Sequence, residues 1–241
     1  MDRRRIAFFI PGLGCARKCV YCDQNAITRD AGTVTPEDVR RAVASLDTPA
    51  ELCFFGGSFA RIGISLMTEF LDAVRGAKEG SSVTFSSYPG DFDGRHGLEI
   101  IRILKNYPIA TIELGIPSLN PDVLAACRRD DDAGMIIRAA GLLRDSGFHL
   151  GVQLMMGLPR QAEEDILRDV GTLARSMPEP GGWDFRLYPC LVLEGTELEE
   201  MYRRGEYRPP ELEEAVRTAG RVLLAAERNR FNVIRVGLLE S

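Results

Sequence analysis

The segment from residue 6 to residue 22 reads Ile6-Ala7-Phe8-Phe9-Ile10-Pro11-Gly12-Leu13-Gly14-Cys15-Ala16-Arg17-Lys18-Cys19-Val20-Tyr21-Cys22. It begins with an apolar run that ends at a Pro-Gly pair, which predicts a buried strand followed by a loop. The loop carries three cysteines in a C-x3-C-x2-C arrangement. Such thiolates can bind a soft metal ion or an iron–sulfur cluster, leaving one iron of a four-iron cluster without a protein ligand. Spacing alone leaves two alternatives open: a zinc site completed by His or Asp, and three unrelated buried thiols.

The composition predicts an ordinary α/β domain. The chain has 241 residues and a net charge of −5, with 35 acidic and 30 basic side chains, so it has no general attraction to nucleic acid. Neither a signal peptide nor an apolar run long enough to span a membrane is visible, which predicts a cytoplasmic protein without a membrane partner. Six cysteines in that setting indicate reduced thiols, and Cys53, Cys127 and Cys190 are interpreted as core residues.

Apolar runs that end in Gly or Pro recur along the chain, and helical patterns lie between them. The runs cover residues 6–10, 51–55, 82–88, 109–116, 148–156 and 183–191. Strands that alternate with helices predict right-handed βαβ units and a parallel sheet. Six such units predict an α/β fold of the partial TIM barrel type, an open (β/α)6 barrel. The whole chain, residues 1–241, is interpreted as a single domain.

The alternation within the strands predicts a polar lumen. Successive residues of a strand point to opposite faces, so each strand has two sets of alternating residues, here called its two phases. Helices cover the outer face of a parallel barrel, so the apolar phase of each strand should point outward and the other phase inward. The inward phase contains the polar residues Thr84, Ser86, Glu113, Gln153, Arg186 and Tyr188. A barrel filled only for stability would carry branched apolar side chains there, so the lumen is expected to receive a ligand. Glu113 and Arg186 are equally well explained as a structural ion pair.

The second predicted strand ends in Gly56-Gly57-Ser58, and these glycines have two interpretations. They could let backbone approach a ligand, or they could simply make a tight turn.

The cysteine triplet, followed by the glycine pair, resembles the motifs of the radical S-adenosylmethionine (SAM) superfamily. The motifs at residues 56–59, 113–116, 153–159 and 186–189 follow the order seen in the branch of the Elongator catalytic subunit and oxygen-independent coproporphyrinogen III oxidase. The resemblance is closest to Elongator-like bacterial proteins without an acetyltransferase domain. It implies a 4Fe–4S cluster on which SAM is reductively cleaved to a 5′-deoxyadenosyl radical, which abstracts hydrogen from a substrate. It also implies a one-electron donor such as flavodoxin or ferredoxin.

The resemblance assigns roles to individual positions. Cys15, Cys19 and Cys22 would bind the cluster. The residues that would contact SAM are Tyr21 beside the adenine, Gly56, Gly57 and Ser58 at the methionine amino group, Ser86 and Gln153 at the ribose and methionine, and Arg129 near the carboxylate. Glu113, Arg186 and Tyr188 would line the substrate cavity, and no catalytic side chain is assigned.

The chain also departs from the pattern of its relatives. Ser58 stands where the glycine motif has Glu, Pro117 stands where relatives commonly have Gln, and Tyr88 precedes Pro89 where many have Arg. The run 233–239 predicts another strand, and relatives usually continue beyond it, so the domain is predicted to be truncated at its C-terminus. The expected substrate is tRNA or, by the coproporphyrinogen alternative, a small tetrapyrrole. A zinc-stabilised binding module is the alternative from another class.

Overall fold

A single parallel sheet is the framework of the protein. The computed structural model describes residues 4–15, 18–24, 32–176, 178 and 182–237. In that part of the chain, seven strands lie side by side in chain order, and every neighbouring pair is parallel. The strands are β1 Arg4–Phe9, β2 Ala50–Phe55, β3 Ser82–Ser87, β4 Ile109–Gly115, β5 His149–Met156, β6 Asp184–Pro189 and β7 Asn232–Val236.

Helices follow the strands as the alternating pattern predicts. They are α1 Pro36–Ala44, α2 Ile64–Ala73, α3 Gly94–Leu104, α4 Pro121–Ala126, α5 Ala133–Asp145, α6 Glu163–Ser176, α7 Glu197–Arg203 and α8 Leu212–Arg228. Thr35 caps α1 in a capping box with Asp38, and Pro36 stands at the first position of the helix. Among the helices described, none combines the length and the apolar character that crossing a bilayer requires.

The apolar strand phase forms the core under the helices. Phe54, Phe85, Ile112, Leu150 and Phe185 are all fully buried members of one large apolar cluster. Leucine, isoleucine and valine side chains of the helices pack onto the same cluster, which is how a helix layer covers one face of a parallel sheet. Burying each such side chain contributes about 1.5–3 kcal/mol relative to exposure.

The polar phase lies on the opposite face, as the alternation predicts. Gln153 on β5 donates from Nε2 to Ser86 Oγ on β3 at 3.2 Å and to Glu113 Oε2 on β4 at 2.6 Å. Contacts that reach from the third strand to the fifth require a curved sheet with these side chains on its concave face. The α/β partial barrel is therefore confirmed, with a seventh strand at 232–236 where the terminal run predicts one. Residues 238 and 239 of that run lie outside the described residues.

Candidate functional site

The three cysteines border one cavity at the carboxyl ends of the strands. The cavity has a volume of about 420 Å³, and its wall includes Cys15, Cys19 and Cys22. Cys15 is exposed, the other two are partly exposed, and all three are free thiols. Burial raises the pKa of the Cys15 and Cys22 thiols, that of Cys22 to about 11. Soft thiol ligands gathered on one loop beside an open cavity fit an iron–sulfur cluster.

The arrangement differs from that of a single-ion site. Within the described segments, no group of three or more His, Cys, Asp or Glu side chains is placed to hold one metal ion. In a cubane, each cysteine binds a different iron, so the sulfurs need to surround a common space and not to meet at one point.

The cysteine loop is joined to the loop after β2 through backbone. Gly12 N donates to Gly56 O at 2.8 Å, and Ser58 N donates to Leu13 O at 2.9 Å. A Cβ at Gly57 would lie 2.3 Å from Leu13 O, and one at Gly14 would lie 2.2 Å from Ser58 O. Both distances are far below van der Waals contact, so only glycine permits this approach.

This contact bears on the two interpretations of the glycine pair. The missing side chain of Gly57 leaves room for the backbone of the cysteine loop, which is the structural interpretation that the sequence left open. Gly56 adopts a φ of 94°, a left-handed conformation that favours glycine. A contact between Gly56 or Gly57 and SAM stays a prediction.

Ser58 is tied to a buried carboxylate that the sequence did not single out. Its hydroxyl donates to Asp91 and accepts a hydrogen bond from the Tyr88 amide at 2.9 Å. Asp91 also pairs with Arg61 at 2.6 Å, and burial raises the pKa of its carboxyl group. The residue that replaces the family's Glu therefore connects the loop after β2 to the turn after β3. Neither Asp91 nor Arg61 follows a recognisable spacing, so only the fold brings them to the site.

Arg129 lies beside the cysteine loop. Its Nε donates to Asp131 at 2.7 Å, and one terminal nitrogen donates to Gly115 O at 2.7 Å. The other terminal nitrogen approaches Cys19 Sγ at 3.8 Å. The guanidinium also lies over the Tyr88 ring, 4.8 Å from its centroid.

Tyr21 belongs to the same loop as the cysteines. Burial raises the pKa of the Tyr21 hydroxyl well above its ordinary value, and the nearby Cys19 thiol raises it further. The Tyr21 ring packs against an apolar cluster that includes Val20, Cys127 and Cys190. The roles of Tyr21 at the adenine and of Arg129 at the SAM carboxylate stay predictions.

The lumen contains a buried ion pair. Arg186 on β6 contacts Glu113 on β4 at 2.5 Å, and both side chains are less than a tenth exposed. The Gln153 amide completes the set through its bonds to Glu113 and Ser86. Removing only one partner of such a pair would leave an uncompensated buried charge and cost about 3–5 kcal/mol. The structural-pair interpretation of Glu113 and Arg186 is thus supported by their contact.

Tyr188 occupies the next inward position beyond Arg186. It is partly buried, and burial raises the pKa of its hydroxyl. Arg186 Nε is buried and has no hydrogen-bond partner among the described groups. A lumen with a buried donor left unsatisfied has the capacity to hydrogen-bond a ligand.

Comparison with known proteins identifies the family. Residues 9–173 match the radical SAM superfamily, and residues 183–240 match the radical SAM C-terminal domain. Since the first match covers more than half of the chain, this protein belongs to the radical SAM superfamily and is an enzyme. Membership implies a 4Fe–4S cluster and SAM, and the three free thiols beside one cavity are suited to hold that cluster.

The relatives place the chain near two known enzymes. The tRNA uridine(34) acetyltransferase of Methanocaldococcus infernus is 37% identical over 121 residues, which are 49% of this chain and 22% of that protein. A structure of Elp3 from the same archaeon, with an N-terminal deletion, has a TM-score of 0.67 at 22% identity and covers 91% of this chain and 53% of that one. Coproporphyrinogen III oxidase (HemN) of Escherichia coli has a TM-score of 0.69 at 15% identity and covers 95% and 53%.

These similarities confirm the predicted superfamily and branch. The likeness to the two structures concerns the fold, and the chain spans about half of the length of each. What the full relatives act on is therefore carried to this chain only as a proposal.

The backbone contact at Gly57 generates a first prediction. A Gly57→Ala substitution should displace the cysteine loop, because its Cβ would lie 2.3 Å from a backbone oxygen that has little freedom to move. Iron bound per chain after anaerobic reconstitution should fall at least several-fold, as measured by a colorimetric iron assay. Gly141→Ala is the matched control, since a Cβ there meets nothing within 4 Å. Full iron content in Gly57→Ala would show that the loop contact is dispensable.

Proposed function

We propose that this enzyme cleaves SAM reductively at a 4Fe–4S cluster bound by Cys15, Cys19 and Cys22 and uses the resulting 5′-deoxyadenosyl radical to abstract hydrogen from a substrate. The observation that carries the proposal is the position of the three free thiols, which border one cavity at the carboxyl ends of parallel strands. Barrels of this type place their active sites at that end. When bound, the cluster supplies the electron that breaks the sulfonium bond.

The chain's own residues would bind and orient SAM around the cavity. Gly56 and Gly57 would offer backbone groups, and Tyr21 would lie against the adenine. Ser58 would act in place of the family's Glu, with its hydroxyl already held by Asp91. Arg129 would neutralise negative charge near the SAM carboxylate.

Gln153 connects the cofactor side of the lumen to the substrate side. Its amide nitrogen donates to Ser86, one of the residues proposed to meet SAM, and to Glu113, one of those proposed to line the substrate cavity. Glu113, Arg186 and Tyr188 would then present buried polar groups to the substrate and keep water out of the reaction.

We assign tRNA as the substrate class. The support is the similarity to tRNA uridine(34) acetyltransferases, which covers about half of this chain. The net charge of −5 predicts weak binding of the polyanion by this chain alone. Flavodoxin or ferredoxin would supply the electron, and a cytoplasmic location remains the prediction from sequence. Nothing in the described lumen favours a tetrapyrrole, and the zinc-stabilised module is set aside because the chain belongs to an enzyme superfamily.

The proposed cluster predicts a definite stoichiometry. Anaerobic reconstitution should give about four irons and four sulfides per chain. Cys15→Ala, Cys19→Ala and Cys22→Ala should each abolish the cluster, because each removes one of its three protein ligands. Cys53→Ala is the control. Cys53 lies in the core, where it is 1% exposed and burial raises the pKa of its thiol to about 12. Stoichiometric zinc in anaerobically purified protein, with no cluster on reconstitution, would contradict the proposal.

The proposed substrate cavity is tested through Tyr188. Tyr188→Phe removes one hydroxyl and keeps the ring, so we expect a tenfold or greater loss of tRNA-dependent 5′-deoxyadenosine release. Iron content and melting temperature should change little. Tyr202→Phe is the control, because Tyr202 is 51% exposed on α7.

Release of 5′-deoxyadenosine should be measured by chromatography with SAM, dithionite and either intact or nuclease-digested tRNA. Stimulation by intact tRNA alone supports the substrate class. Equal release in all samples would show that tRNA is not the substrate.

A further inference from the structure

The three cysteines of the loop have different hydrogen-bond partners. Cys19 Sγ is approached by the Arg129 guanidinium at 3.8 Å. Cys22 Sγ is approached by a neutral donor, Gln24 Nε2, at 3.4 Å. Cys19 is thus the sulfur beside a cationic donor.

Arg129 is fixed in place by several independent contacts. Asp131 accepts from its Nε, Gly115 O accepts from a terminal nitrogen, and the guanidinium lies over the Tyr88 ring. Its side chain is only 14% exposed. Such a guanidinium is not free to turn away from the sulfur, so its charge remains beside Cys19.

Main-chain hydrogen bonds also hold Arg129 close to Cys19. Arg129 N donates to Leu124 O at 2.9 Å, which ties Arg129 to the end of α4. Val20 N donates to Cys127 O at 3.4 Å, which ties the cysteine loop to the same turn. Cys19 and Arg129 are thus carried by two segments that are bonded to each other, although 110 positions separate them in sequence.

Charge at this position has a defined effect on a cluster. Reduction adds one electron and hence one negative charge, which is shared between the irons and the sulfur ligands. A nearby positive charge and hydrogen bonds to a ligand sulfur stabilise the reduced state, and so raise the reduction potential. Arginine keeps its charge across the whole working pH range.

We propose that Arg129 is a positioning residue that raises the reduction potential of the cluster through the Cys19 thiolate. The inference rests on the proposed function, because it requires the cluster. It adds a role for Arg129 that is separate from binding the SAM carboxylate. All three guanidinium nitrogens already have partners in the described structure, and one of those partners is the sulfur.

The experiment is a potentiometric titration of the reconstituted full chain without SAM. The cluster is reduced by one electron with titanium(III) citrate, and the reduced form is counted by electron paramagnetic resonance (EPR). We expect Arg129→Gln to lower the ratio of reduced to oxidised cluster about tenfold at a fixed potential, which is about 59 mV for a one-electron couple. Arg129→Lys should restore part of the shift, because it restores the charge. Arg129→Met, which also removes the charge, should lower the midpoint by a similar amount.

Arg128→Gln is the matched control. Arg128 precedes Arg129 and borders the same cavity, but its side chain is 62% exposed and pairs with Glu197 at 2.6 Å. Its removal should leave the midpoint unchanged. An equal shift in Arg128→Gln would show a general effect of charge and would contradict the inference.

Iron and sulfide are counted in every sample. The counts distinguish a failure of the proposed function from a failure of the inference about Arg129. A wild-type chain without a cluster overturns the proposed function and the inference with it. A full cluster with the same midpoint in wild type and Arg129→Gln overturns the inference alone, even if SAM affinity falls. If Arg129→Gln takes up no iron, an unchanged midpoint in Arg129→Met or Arg129→Lys overturns it.

Discussion

The cysteine loop lies against the loop after β2 through backbone hydrogen bonds, and two glycines allow that approach. Gly14 and Gly57 each face a backbone oxygen of the opposite loop at a distance that excludes a side chain. The contact fixes Cys15 relative to the second strand, and the turn at Cys127 fixes the loop on its other side. The proposed cluster, with only three protein ligands, would need such support, because its fourth iron would be left for SAM. Gly14 and Gly57 thus shape the site whether or not either of them contacts a ligand.

The lumen shows how the same sheet serves stability and function. The outward phase is apolar and packs under the helices, whereas the inward phase holds Glu113, Gln153 and Arg186 in mutual contact. Buried charges are expensive, and Glu113 and Arg186 neutralise each other while the Gln153 amide donates to Glu113. Among the described side chains, Arg186 Nε is the buried donor that is left to meet a ligand. The pair is therefore part of the fold, and a substrate would meet an already ordered set of polar groups.

The strand periodicity was sufficient to predict the fold. Each of the six predicted runs overlaps a strand, because a parallel sheet covered by helices imposes an apolar phase that is visible in sequence. The inward positions of Ser86, Glu113, Gln153 and Arg186 followed from the same alternation. Membership of the superfamily was predictable because the cysteine spacing and the later motifs occur in a fixed order.

Contacts between distant loops were not predictable. Nothing in the sequence relates Ser58 to Asp91 or Arg129 to Cys19, since these pairs depend on how loops from different strands meet. The sequence also could not decide between the two roles of Gly57, because a tight backbone contact and a ligand contact both require glycine. Only the position of the neighbouring backbone shows that the cysteine loop occupies that space.

The proposed function depends on a four-iron cluster that is held by three cysteines and binds SAM at its remaining iron. Both features can be observed in the EPR spectrum of the reduced, reconstituted protein, recorded with and without SAM. We expect a signal typical of a reduced 4Fe–4S cluster whose g values change when SAM is added, because SAM would become a ligand of the open iron. A cluster signal that stays the same at saturating SAM would contradict the proposed function.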